Sequence, residues 1–404
     1  MRLRSALVAA YVLMAAVAAS AQEPATRAEV LARQREEKSK NLTPPEQPRL
    51  ERTLLALENG RLFERVLNPP EGFYPKLGNI TAGGGFAMGP AYRKPLFGER
   101  AAFNALAIAS TKRYWLIDSR LEWPQLAGGR LYADVHGRLY EYPQEDFFGL
   151  GPYSRRDTDV IYGLRSSEVG AAGGLRPVPW FLLGVKVDHL TPSIGPGNTG
   201  RPIGQLYTVQ NVPGLDAQPD FLRYEFSADV NLREPRGNPR RGGQYKVVYQ
   251  RFADRDLQRY SFQRVDVDLQ QYVPLVRDRR VIALRAFAST ADADAGQEVP
   301  FYYQHTLGGP DDLRGFRQFR FRDNNTLLLQ VEYRWEIFTA VDGAIFYDAG
   351  RVAPRFEDLG FDNLESDYGI GFRFGTRNGV FLRVEGAFGS SGGKHFILRF
   401  GHVF

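Results

Sequence analysis

Thr326-Leu327-Leu328-Leu329-Gln330-Val331-Glu332-Tyr333-Arg334-Trp335-Glu336-Ile337-Phe338 alternates along its length with a period of two. Leu327, Leu329, Val331, Tyr333, Trp335 and Ile337 share one face of a period-two strand, against Leu328, Gln330, Glu332, Arg334 and Glu336 on the other. The same split runs through Phe221 to Arg233, where Leu222, Tyr224, Phe226, Ala228, Val230 and Leu232 oppose Arg223, Glu225, Ser227, Asp229 and Asn231. Five polar residues in succession on one face are not a packed core. A soluble sandwich would bury the apolar face and wet the charged one; an outer-membrane barrel turns the apolar face to lipid and the polar face inward.

Strand length and connection length favour the barrel. Many alternating runs reach the roughly 9 to 11 residues that a tilted membrane strand needs, beyond the five or six usual in soluble sheets. Short connections near Gln125-Gly129, Arg176-Pro179, Pro274-Arg279 and Ala340 interleave with long ones near 143–156, 193–219, 291–324 and 351–365, as short periplasmic turns and long outer loops do. Counting back from Phe404 gives fourteen strands from near Ala101, and the glycine-rich stretch Gly78 to Arg93 is expected to supply two more. The expected fold is all-β, a transmembrane antiparallel barrel of 16 strands over residues 71–404, preceded by a short helical segment.

Composition bounds the remainder. The 404 residues include no cysteine, which excludes a disulfide framework, a thiolate nucleophile and thiolate metal sites. The formal charge of +6 falls to about +4 once Arg2 and Arg4 leave with a signal peptide, too little and too scattered to imply nucleic acid. That peptide is read over residues 1–21: Arg2 and Arg4, an apolar run from Ala6 to Val17, and small residues Ala19-Ser20-Ala21 before Gln22. Residues 22–70 form a charged periplasmic or plug segment, broken at Pro44-Pro45, with an amphipathic helix over 47–67 carried by Leu50, Leu54, Leu57, Phe63 and Val66.

The longest outer connection carries Gly308-Gly309-Pro310 and then Leu313-Arg314-Gly315-Phe316. This resembles the V/I-R-G-F/Y motif in the sixth extracellular loop of the BamA-type assembly and translocation superfamily, the bacterial surface antigen family, with leucine in place of the usual branched residue. Phe346-Tyr347-Asp348-Ala349-Gly350 matches that family's F-x-D-x-G pattern, and Asp146-Phe147-Phe148-Gly149-Leu150-Gly151 is similar to a loop of its barrels. The resemblance implies that the loop folds into the lumen and that Arg314 meets Glu332, Phe346, Asp348 and Gly350 on the next two strands. By alternation, Glu332, Phe346 and Asp348 do face the lumen. Gly315 is expected to permit a tight bend after the arginine. The final run, with Phe396, Leu398, Phe400, Gly401 and Phe404, looks like the β-signal by which barrels are recognised for outer-membrane assembly.

Chemistry-bearing patterns are sparse. His136, His189, His305, His395 and His402 show no paired metal spacing, and Gly389-Ser390-Ser391-Gly392-Gly393 reads as a hairpin loop rather than a nucleophile elbow. No metal, no cofactor and no enzymatic activity are expected. Expected partners are outer-membrane lipid and, through the resemblance, unfolded outer-membrane or secreted proteins and the barrel assembly machinery during the chain's own biogenesis. A monomer without nucleic acid is expected. Relatives that handle clients carry periplasmic POTRA domains, for which residues 22–68 are too short. Two functions remain: assistance of protein or lipid insertion or translocation at a weak seam between first and last strands, favoured by glycines 83 to 85, or a passive or plugged pore, surface antigen or anchor.

Overall fold

The computed structural model describes residue 69 and residues 71–399, apart from residues 82, 277, 339, 376–378 and 391–392. The signal peptide, the amphipathic helix and Phe400, Gly401 and Phe404 of the β-signal lie outside the described residues.

Sixteen antiparallel strands form one sheet in chain order: β1 (Gly72–Gly78), β2 (Ala87–Leu96), β3 (Ala101–Ser110), β4 (Trp115–Leu126), β5 (Leu131–Phe147), β6 (Val160–Val178), β7 (Phe181–Pro196), β8 (Phe221–Asn231), β9 (Gly242–Asp254), β10 (Phe262–Pro274), β11 (Arg280–Ala293), β14 (Asn325–Phe338), β15 (Val341–Ala353), β16 (Glu365–Gly375), β17 (Val380–Gly389) and β18 (Lys394–Arg399). A two-stranded hairpin, β12 (His305–Leu307) and β13 (Phe321–Asp323), sits in the long connection between β11 and β14. Every strand of the large sheet pairs with its sequence neighbour, which only up-and-down topology achieves.

The sheet is inside out relative to a soluble protein. Val135, Leu139, Val185, Phe226, Val247, Val331, Ile345 and Ile370 are exposed, whereas Asp134, His136, Asp188, Gln250, Glu332, Arg334, Asp348 and Arg373 are buried. Along β14 the exposed Val331 alternates with the buried Gln330 and Glu332, so period two sorts the side chains into an outer lipid-facing band and an inner polar face. Tyr333 stacks on Trp335 with centroids 5.8 Å apart near the strand end opposite the long loops, and exposed Trp180 lies at that same end. These rings mark a membrane interface. The protein is therefore an outer-membrane β-barrel.

Two boundaries differ from the sequence reading. The opening hairpin is β1 and β2, so Gly83 and Gly85, at φ of +77° and +82°, lie in its connection rather than in a strand. Within the hairpin Pro75 faces Pro90, and neither donates a backbone hydrogen bond. The second difference is that β5, β6 and β7 have 17, 19 and 16 residues, more than a bilayer needs. Their surplus lies at the outer end, where Phe147, Val160 and Tyr162 pack with Ile203, Val212, Phe301 and Tyr302 of the loops into an apolar cap.

Candidate functional site: a buried arginine network in the lumen

The connection 294–324 does not stay outside. Leu313 and Phe316 bury against Phe287, Leu307, Phe321, Leu328 and Val352, anchoring the loop tip to the inner face of β11, β14 and β15. Gly308 and Gly309 adopt φ of +112° and +104°, a left-handed backbone in which a side chain is strained. At Gly308 a Cβ would lie 2.3 Å from the Arg317 carbonyl oxygen, so the two ends of the loop tip press together there. Gly309 N–H donates to the carbonyls of Leu313 and Phe316, both at 3.2 Å, closing the turn that presents Arg314.

Arg314 is fully buried. Its Nε and Nη2 donate to both oxygens of Asp348 at 2.6 and 2.8 Å, Nη1 donates to Glu332 at 3.0 Å and to Glu385 at 3.4 Å, and its Cζ sits 3.4 Å from the Phe346 ring centroid. The planar fork thus uses its donors on three carboxylates and its flat face on an aromatic ring. Burial works against this charge, but Asp348, Glu385 and Glu332 together raise the guanidinium above its ordinary pKa. Glu332 is shared with Arg334 and Arg373, and Glu385 lies within 3.4 Å of Arg383 and 3.7 Å of Arg373. The result is a buried lattice of alternating sign spanning β14 to β17.

The loop is also fastened towards the end of the sheet. Asp311 accepts from Arg383 on β17 at 3.3 Å and from Arg399 on β18, and Arg383 donates to the Pro310 carbonyl at 2.9 Å. Above the tip, Arg317 donates to Asp159 at 3.0 Å and to Asp146 at 3.4 Å, while Arg320 reaches Ser154 and lies over Phe148. The segment Asp146 to Gly151 therefore embraces the loop's outer half, and Gly151 N–H donates to the Arg322 carbonyl at 3.0 Å.

Of the residues expected from the sequence, Arg314, Glu332, Phe346 and Asp348 come together directly. Gly350 has a different surrounding. It pairs with Leu328, and a Cβ there would come within 2.9 Å of Leu307, so its small size serves packing under the loop. Gly315 is likewise not in the left-handed region. It is small because a Cβ would lie 2.5 Å from both the Asp367 side chain and the Gly389 nitrogen. Phe396 and Leu398 are largely exposed on the outer face of β18. Glu385, Arg373, Arg383 and Asp311 belong to no motif; strand parity on β16 and β17 marks the first three as lumenal, but nothing local in the sequence names their partners.

Among the described residues no group of three potential metal ligands occurs. His136 does bridge two carboxylates, Asp134 at 2.7 Å and Asp188 at 2.8 Å, and Asp188 also accepts from Arg223. This second polar cluster lies on the inner face of β5, β7 and β8.

Comparison with known proteins bears on this barrel and its inward-drawn loop. The Omp85 superfamily domain matches residues 209–390, which include the loop and its anchoring strands. BamA from Haemophilus ducreyi lacking POTRA domains 1-3 is similar in structure, with a TM-score of 0.61 at 14% identity, over 81% of this chain and 69% of that one. CdiB from Escherichia coli gives a TM-score of 0.52 at 13% identity, over 81% of this chain and 61% of that one. Residues 209–390 thus match an Omp85 superfamily domain, and the barrel shares its fold with these solved structures.

Proposed function

We propose that this barrel assists the insertion of proteins or lipids into the outer membrane, or their translocation across it, with the seam between β1 and β18 as its working edge. One observation carries the reading. A cavity of ≈ 420 Å³ is lined jointly by Thr81, Gly83 and Phe86 of the opening hairpin, by Arg314 and Phe316 of the lumenal loop, and by β18 from His395 to Arg399. The two ends of the sheet meet at a gap into which the loop tip looks. β1 and β18 end the strand order, and among the described residues no backbone pairing joins them. An edge that exposes unpaired N–H and C=O groups is costly in lipid and is a template for an incoming strand.

A plugged or passive barrel is the second reading, favoured by the apolar cap around Phe147, Tyr162 and Phe301 that covers the outer mouth. One experiment separates the two. Thr81→Cys and Leu398→Cys, both lining the seam cavity, are introduced into the cysteine-free chain and joined by a bismaleimide. The proposal expects the bridged barrel to lose acceleration of client insertion into liposomes while keeping its strand content; equal acceleration by bridged and free barrels would overturn the seam as the working edge, and acceleration by neither would leave the passive reading.

A further inference from the structure

The connection between β8 and β9, residues 232–241, is the longest described turn at the periplasmic end, and it leaves the wall. Glu234 and Arg241 pair as an isolated antiparallel bridge, with Glu234 N–H donating to Arg241 at 3.0 Å and Arg240 N–H to Glu234 at 3.0 Å, so the segment is a small preformed finger. Its tip reaches strands that are not its neighbours. Gly237 bridges Gly379 at the β16–β17 turn, where Val380 N–H donates to Gly237 at 3.3 Å. Arg240 donates to both oxygens of Asp342 on β15 at 2.9 and 2.7 Å, and to the Asp278 carbonyl of the β10–β11 turn at 3.3 Å. Arg236 donates to the Pro179 carbonyl of the β6–β7 turn at 3.3 Å.

Between β9 and β15 stand β10, β11 and β14. Asp342 has the parity of Phe346 and Asp348, so its carboxylate faces the lumen, and it is nearly buried. A finger that reaches it from β8 and β9 must cross the mouth rather than follow the rim. Asn238 and Pro239 at its tip are buried as well. On the inner face of β5 to β8 lies a lumenal chamber of ≈ 240 Å³ lined by Tyr132, Asp134, His136, Lys186, Glu225 and Ser227.

We propose that residues 232–241 are an inner gate: a strap across the periplasmic mouth, latched by Arg240 on Asp342, whose release admits solute or an extended polypeptide to the polar chamber. Neither the loop carrying Arg314 nor the seam takes part in this closure, so the gate stands whether or not the barrel is an insertion factor. A charge-assisted contact of this kind, with the Arg240 Nη2 set between both Asp342 oxygens and Nη1 on the Asp278 carbonyl, suits a latch, because it is strong when screened from water yet is lost in one step once water enters. The contacts between strap and wall are made by main-chain groups and charged side chains: Gly237 with Val380 N–H, Arg240 with Asp342 and the Asp278 carbonyl, and Arg236 with the Pro179 carbonyl.

The absence of cysteine makes the test direct. Ser227→Cys places one thiol in the chamber of a full-length barrel in nanodiscs, and its rate of modification by a bulky charged maleimide reports access. Arg240→Ala and Asp342→Asn are each expected to raise that rate about tenfold, the factor that corresponds to losing ~1.4 kcal/mol of latch. In the Arg240→Ala background a disulfide between Gly237→Cys and Gly379→Cys is expected to restore slow labelling, and a reductant to abolish the restoration; a Cβ at Gly379 meets nothing within 4 Å. Equal labelling rates in the intact, Arg240→Ala and Asp342→Asn proteins would overturn the gate, and so would fast labelling that persists in the disulfide-locked protein.

Discussion

Removing the Arg314 guanidinium does not affect its three carboxylates equally. Glu332 keeps Arg334 and Arg373, and Glu385 keeps Arg383 and Arg373. Asp348 keeps the Gln330 amide at 3.2 Å and lies directly across the sheet from Asp367, another buried carboxyl. Arg314→Ala therefore strands one charge, Asp348, in a site with no exposed surface. Breaking a buried pair from one side costs about 3 to 5 kcal/mol. At tenfold per ~1.4 kcal/mol, the released form of the loop rises about a hundredfold to several thousandfold. Chymotrypsin cleavage at Phe316 and Phe319 of the folded barrel in detergent, with hydrogen exchange at Gly309 and Phe316, reads that population. Adding Asp348→Asn removes the stranded charge and is expected to recover much of the protection. Cleavage of Arg314→Ala at the intact protein's rate, or no relief from Asp348→Asn, would refute the account of the anchor.

Three further predictions concern the same loop. Gly315→Ala forces a Cβ to within 2.5 Å of Asp367 and Gly389, and overpacking of this kind costs about 1 to 3 kcal/mol, so protection of the tip should fall with Arg314 still present. Burial, assisted by Asp311 and Asp348 and opposed by Arg285, pushes the Asp312 carboxyl from its ordinary 3.8 up to about 7. The docked loop therefore favours the protonated acid: docking is strongest below about 4, is lost progressively as pH rises to about 7, and Asp312→Asn should remove that part of the slope in a pH series of cleavage rates. Below its ordinary 6.5, buried His305, held neutral down to about 4, gives an opposite slope that both proteins share. Asp311→Asn loosens the tie to Arg383 and Arg399; the half-exposed Asp311 limits the effect to about 1 kcal/mol, seen as faster hydrogen exchange in Lys394–Arg399 while β14 is unchanged.

The barrel was legible because lipid outside and polar lumen inside leave opposite marks on alternate residues. Thr326 to Phe338 states both in one strand, and the number of strands followed from repeating that reading. The opening hairpin was harder. Gly72–Gly78 is short and interrupted by Pro75, so the glycine-rich stretch beside it drew the assignment that belonged to β1. The outer halves of β5 to β7 were also hidden, since there the inward face is apolar and packs on loops. At the loop site, Glu332 and Asp348 were visible through motif and parity, whereas Glu385 lies 71 residues from Arg314 and is joined to it only by the curvature of the wall. The strap was hidden for the same reason: Arg233 to Arg241 reads as turn composition, and its partner Asp342 lies 102 residues beyond Arg240.

The central claim is that this chain, with its lumenal loop docked, promotes insertion at its seam. The direct measurement is the rate at which an unfolded barrel client inserts into liposomes carrying the purified, refolded protein, beside Arg314→Ala and empty liposomes. The account predicts acceleration over empty liposomes that is lost in Arg314→Ala. Insertion at the rate of empty liposomes, with the barrel demonstrably folded, would contradict it.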